Sequence, residues 1–149
     1  MPLRLVLDTN VWLDWLVFDD AGVAEIKAAV TAARAEIFID AACAGELTSV
    51  LGYSLQKKIL APDAQAAHRA ECLRIAQMIE PTAASPDQPL PVCRDKDDQK
   101  FLELARACRA DFLVTRDLQL LKLARRKVRR APFGIVTPAQ LNATLATLS

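Results

Sequence analysis

Short apolar runs in this chain stop at or just before an acidic residue. Leu3-Arg4-Leu5-Val6-Leu7 ends at Asp8, Glu36-Ile37-Phe38-Ile39 ends at Asp40, and Phe112-Leu113-Val114-Thr115 stands two positions before Asp117. Near-continuous apolar runs of this length suit strands covered on both faces, rather than strands with one wet face. A fourth run, Phe133-Gly134-Ile135-Val136, reads the same way. Between the runs lie stretches with helical spacing. Val11 to Val17 and Ala21 to Ala35 read as helices, the latter with Val23, Ile26, Ala29, Val30 and Ala33 on one stripe. Cys43 to Leu60 reads as helical with a break at Gly52, and Pro62 opens a helix expected to reach Ile79. Asp95 to Arg109 is amphipathic with its acids at the start, a helix follows Asp117, and Thr137 caps a closing helix over Pro138 to Leu148. Strand and helix alternate, which predicts an α/β fold: a parallel sheet of four to five strands with helices on both faces.

Composition sets the outer bounds. A chain of 149 residues fits one domain, taken here as 1–149. Thr82 to Pro91 holds three of the eight prolines and reads as a loop, since too little chain follows it for a second core. No apolar run approaches the roughly 18–20 residues of a membrane span, and no signal peptide is read, so the expected location is cytoplasmic and away from membranes. The four cysteines, at 43, 72, 93 and 108, form no CxxC pair and His68 is the only histidine, which argues against a zinc site. Reduced cysteines packed as small apolar residues are expected, and His68 is expected exposed on a helix.

The acids lie where an open parallel sheet binds its ligands, beyond the carboxyl ends of the strands and at the helix starts that follow. Asp8 follows the first strand and Asp117 the third; Glu46 lies in the helix after the second; Asp95 and Asp98 open a later helix. Each has an ordinary alternative as a helix cap or a first-turn acid favoured by the helix dipole. Together they form a carboxylate set without His or Cys, which suits a hard cation such as Mg²⁺ or Mn²⁺. Such an ion can acidify a bound water and polarise a phosphoryl oxygen. No GxxxxGK[ST], GxGxxG, GxSxG or HExxH motif competes.

Asp8-Thr9-Asn10-Val11, Ala44-Gly45-Glu46-Leu47-Thr48-Ser49-Val50-Leu51, the run from Cys93 to Ala105, and Ala110-Asp111-Phe112-Leu113-Val114-Thr115-Arg116-Asp117 together resemble the PIN domain. The branch they are most similar to holds toxin components of toxin–antitoxin pairs, the VapC-like ribonucleases. The resemblance is strongest over 1–121. It implies a Mg²⁺- or Mn²⁺-dependent endoribonuclease in which Asp8, Glu46, Asp98 and Asp117 are catalytic and hold the metal, with Asn10, Thr115 and Asp95 as polar supports. It implies hydrolysis that leaves a 5′-phosphate and a 3′-hydroxyl, an RNA substrate, a small antitoxin partner and a homodimer. Asp98 matches the family acid because Phe101, Leu102 and Ala105 follow it at the spacing of a buried helical face. Arg116 stands where many relatives carry Gly.

Lys122, Arg125, Arg126, Lys127, Arg129 and Arg130 put six positive charges into nine residues with no acid between them. The run is either a solvated face or, with Arg116, a track for RNA phosphates. Trp12 and Trp15 share a helix face, as core or as a partner surface. Two other functions are compatible with parts of this pattern: a catalytically silent RNA-binding or regulatory PIN module, and a phosphoacceptor domain of the receiver or haloacid-phosphatase kind. The latter would want a second Asp where Asn10 stands, or adjacent acids near the first strand.

Overall fold

The computed structural model describes residues 1–80, 90–126 and 130–148. The chain opens with β1 (Leu3–Leu7), α1 (Thr9–Leu16), a 3₁₀ turn (Ala21–Val23), α2 (Ala24–Thr31) and β2 (Ala35–Ile39). Then come α3 (Ala41–Leu51), a small hairpin of β3 (Ser54–Leu55) and β4 (Lys58–Ile59), α4 (Pro62–Ile75) and β5 (Gln77–Met78). A 3₁₀ turn (Lys96–Asp98) leads into α5 (Gln99–Ala107), followed by β6 (Phe112–Val114), α6 (Leu118–Leu123), β7 (Gly134–Val136) and α7 (Pro138–Thr147).

Five strands form one parallel sheet in the order β5-β2-β1-β6-β7. Consecutive residues of a strand point to opposite faces. Leu5, Val6 and Leu7, Ile37, Phe38 and Ile39, and Leu113 with Val114 are all buried, so both faces of the three central strands are covered. The covering helices touch one another around the sheet: α2 against α7, α1 against α3 and α4, and α3 against α5. Trp12 lies in this core and Trp15 is half-buried against it, with ring centroids 5.9 Å apart. At the β6–β7 pair, a Cβ on Gly134 would come within 2.7 Å of the Phe112 ring, so only a glycine lets the two strands approach with that ring between them. All four cysteines are reduced and buried, and burial pushes the Cys72 thiol up to about 12 and those of Cys93 and Cys108 to about 11. No described helix is long and apolar enough to cross a membrane.

Several expected boundaries move. The helix expected to reach Leu60 ends at Leu51; the chain after Gly52 turns back on itself as the β3–β4 hairpin, pinned by buried Leu55 and Leu60. Its two turn residues, Gln56 and Lys57, are both left-handed, at φ 49° and 67°. That is the backbone of a tight hairpin without the Asn-Gly signal that usually announces one. The helix expected to reach Ile79 ends at Ile75, because Gln77 and Met78 add a fifth strand beside β2. The Ala21–Ala35 stretch divides into a 3₁₀ turn, α2, a left-handed Ala33 at φ 58°, and β2. His68 is on α4 as expected, though half-buried rather than exposed. Most of the proline-rich loop, 81–89, lies outside the described residues.

Candidate active site

The strand order decides where the sheet can hold a ligand. From β1 the chain moves outward to β2 and β5, then returns to the other side of β1 to form β6 and β7. The point of reversal lies between β1 and β6, and the crevice beyond their carboxyl ends is the natural site of such a sheet. Asp8 and Thr115 are the first residues past those two strands, and each continues its ladder: the Asp8 amide donates to the Val114 carbonyl at 3.1 Å, and the Thr115 amide to that of Val136 at 2.9 Å.

Asp8 is 4% exposed and caps α1, its Oδ1 accepting from the Val11 amide at 3.0 Å. Its Oδ2 accepts from the hydroxyl of Thr115, which is itself fully buried. The Thr115 Oγ1 in turn accepts from the Asp117 amide at 3.0 Å, so one hydroxyl ties the acid after β1 to the acid after β6. Asp117 caps α6 through Oδ1, which accepts from the Gln119 amide at 2.8 Å. The capping alternative is therefore true of Asp8 and of Asp117, and it holds their carboxylates at helix starts rather than excluding a second use.

Asp8, Asn10, Glu46, Asp98 and Asp117 line one open cavity of about 210 Å³, with Thr9, Val50 and Phe101. Their charges act on one another. Burial pushes the Asp98 carboxyl up to about 6, and the neighbouring carboxylates of Asp117, Asp95 and Glu46 add to the shift against the opposing Lys100. Burial also raises Asp8; hydrogen bonds from Thr115 and Val11 pull it back, and Asp117 raises it again. Burial and the neighbouring carboxylates thus both disfavour the charged form of Asp98 and of Asp8.

Glu46 differs from the other three. Its Oε1 pairs with the Lys100 ammonium at 2.8 Å, and its Oε2 accepts from the hydroxyl of Thr9. Neither Thr9 nor Lys100 stood among the residues expected at the site. For Lys100 the only sequence signal was its place two positions after Asp98; its pairing with Glu46 on another helix is hidden by chain separation. All four acids supply hard oxygen donors suited to Mg²⁺ or Mn²⁺. Yet among the described residues no three His, Cys, Asp or Glu side chains are grouped as metal ligands. The donor type suits a divalent ion, but the carboxylates are not gathered around one point, and Glu46 is turned toward Thr9 and Lys100. Asp95 is exposed, caps the 3₁₀ turn by accepting from the Asp97 amide at 2.9 Å, and stays outside the cavity lining.

A sequence model of the PIN domain matches residues 4–119. The chain belongs to the PIN domain family. No curated protein matches it by sequence. Two solved structures share its fold. A chain of VapBC2 from Rickettsia felis, crystallised bound to a DNA fragment from their promoter, aligns with a TM-score of 0.61 at 15% identity, over 91% of this chain and 98% of that one. PAE2754 from Pyrobaculum aerophilum aligns at 0.62 and 17% identity, over 97% and 90%.

The basic residues of this PIN domain divide into two groups. Arg116 turns away from the run that follows it: its guanidinium pairs with Asp14 at 3.3 Å and Asp20 at 3.4 Å, bracing the loop before α6 against the end of α1. Lys122, Arg125, Arg126 and Arg130 are exposed. Lys127 and Arg129 lie outside the described residues.

Proposed function

We propose that this PIN domain is a Mg²⁺- or Mn²⁺-dependent endoribonuclease and the toxin of a toxin–antitoxin pair. The observation that carries the reading is the cavity at the sheet's switch point, which Asp8, Glu46, Asp98 and Asp117 line although four separate segments of the chain supply them. PIN domains are generally nucleases, and the donor set is one of hard oxygens. Asp8, Asp98 and Asp117 would hold the ion. Once bound it would supply Lewis acidity at the phosphodiester and a water acidic enough to attack it. The protein's own part is placement. The α1 amide and the Thr115 hydroxyl fix Asp8, and Thr115 carries that order to Asp117. Asn10, exposed at the rim, offers an amide donor to a phosphate oxygen. The exposed Lys122, Arg125, Arg126 and Arg130 supply a surface for RNA phosphates. The VapBC2 fold neighbour favours a small antitoxin protein as partner, and a homodimer is the assembly this reading assigns.

A second reading, a silent RNA-binding or regulatory module, is favoured by Glu46 being engaged with Lys100 and Thr9. Incubation with single-stranded RNA separates the two. An active nuclease cleaves in Mn²⁺, stops in EDTA, and loses cleavage but not RNA binding on Asp8→Asn or Asp98→Asn. Cleavage by Asp8→Asn at the wild-type rate would remove the mechanism; RNA binding by wild type without cleavage would leave the silent module.

A further inference from the structure

The Lys100 ammonium lies in a mostly acidic neighbourhood and is neither on the surface nor in the basic run. Its side chain is 21% exposed, Glu46 lies at 2.8 Å, and the Asp97 carbonyl accepts from it as well. Its third neighbour is the ring of Phe101, 5.2 Å from the ring centre, so a π surface joins the oxygens around the charge. Lys100 and Thr9 between them take one bond from each oxygen of Glu46.

We propose that Lys100 is a built-in counter-cation that withholds Glu46 from the metal set and is exchanged for the divalent ion on binding. The inference rests on the nuclease reading and deepens it by naming the positioning residue that sets the metal's affinity. Its physical basis is competition. The cavity without an ion would hold four carboxylates, and one lysine neutralises the member whose helix, α3, faces α5. A divalent cation at Asp98 and Asp117 is repelled by that positive charge, which already acts on Asp98, and Glu46 becomes a ligand only when Lys100 releases it. A compact ammonium on a flexible stem can swing aside, which a rigid guanidinium held by two ion pairs, as at Arg116, cannot do as readily.

The test is a Mn²⁺ titration by calorimetry of the full chain as wild type, Lys100→Met, Lys100→Arg and the double variant Glu46→Gln/Lys100→Met. Removing a unit charge this close to the site is expected to tighten Mn²⁺ binding by roughly tenfold or more. Lys100→Arg, which keeps the charge, is expected to bind no more tightly than wild type. The gain should vanish in the double variant, because the freed ligand is then gone. Melting in EDTA gives a second readout: Lys100→Met should melt below wild type without metal and at or above it in saturating Mn²⁺. Equal dissociation constants for wild type and Lys100→Met, or a gain that survives Glu46→Gln, would overturn the role of Lys100 while leaving the nuclease reading standing. Failure of every variant to bind Mn²⁺ would overturn both, and a poorly folding Lys100→Met is replaced by Lys100→Gln with the same expectations.

Discussion

Asp98→Asn should stabilise the metal-free protein, and by an amount that depends on pH. The folded carboxyl of Asp98 is pushed up to about 6 from an ordinary 3.8. Between those values the folded chain keeps a proton that the unfolded chain has released. Stability therefore falls as pH rises through this window, and the whole deficit is present above about pH 6. Two units correspond to about 3 kcal/mol at 1.36 kcal/mol per unit. Asp98 is only half-buried, and solvent screening reduces this to roughly 1–2 kcal/mol. For a chain of this length that is about 2–8 °C in Tm, at some 2–4 °C per kcal/mol. Asparagine carries no charge at any pH, so the variant escapes the penalty. Thermal melts in EDTA from about pH 4 to 8 should show the two proteins together at the acid end and the variant higher at the neutral end. Added Mn²⁺ should then lift the wild type, by about 2.7 kcal/mol at 100 times its dissociation constant, and the variant much less. Parallel melting curves across the pH range, or a variant that melts lower at neutral pH, would refute the reasoning, since burial and the neighbouring carboxylates would not then penalise the charged Asp98 in the fold.

Thr115→Val keeps the shape of a fully buried residue but removes the hydroxyl joining Asp8 to Asp117; a loss of about 1–3 kcal/mol in urea unfolding is expected, with cleavage lost as well. Arg116→Met leaves the largely buried Asp14 carboxylate without its cation, which should cost about 1–2 kcal/mol near neutral pH and progressively less in acid, where Asp14, already raised by burial, takes up its proton. The same variant should leave the salt dependence of RNA binding unchanged, because Arg116 is already committed to Asp14 and Asp20. Replacing Arg125, Arg126 and Arg130 by Ala should instead make the slope of log K against log salt shallower by roughly one to two units, since each phosphate contact on a single strand contributes about 0.7. An unchanged slope in filter binding would make that run a solvated face. Asp8→Asn, which can still cap α1 through its side-chain oxygen, should fold with far less loss than Asp8→Ala, measured by Tm, while both fail to cleave RNA.

The central strands could be read from composition alone because burial on both faces demands an unbroken apolar run, and Leu5–Leu7, Ile37–Ile39 and Leu113–Val114 have one. β5 could not. Gln77 and Met78 are exposed, two residues long and held to β2 by backbone pairing that leaves no trace in side-chain character. The β3–β4 hairpin was hidden for a related reason: Gln56 and Lys57 adopt left-handed backbone that their side chains do not favour, so the turn is imposed by the burial of Leu55 and Leu60 around it.

The acids divide along the same line. Sequence alone determined which residues were candidates, because Asp8 and Asp117 must follow their strands and Asp98 must open a helix whose buried face begins at Phe101. These are local relations, set by strand period, helix period and capping. Which of those acids share a cavity, and what already holds them, only the tertiary structure decided. The return of the chain across β1 brings Thr115 onto Asp8 and Asp98 toward Asp117, and the packing of α3 on α5 sets Lys100 against Glu46. Arg116 was likewise readable as part of a basic run, yet its charge is taken up by Asp14 in α1 and by Asp20 in the turn after it. Charge carries no periodicity. A partner about a hundred residues away along the chain is chosen by the strand order, which the apolar pattern restricts but does not specify.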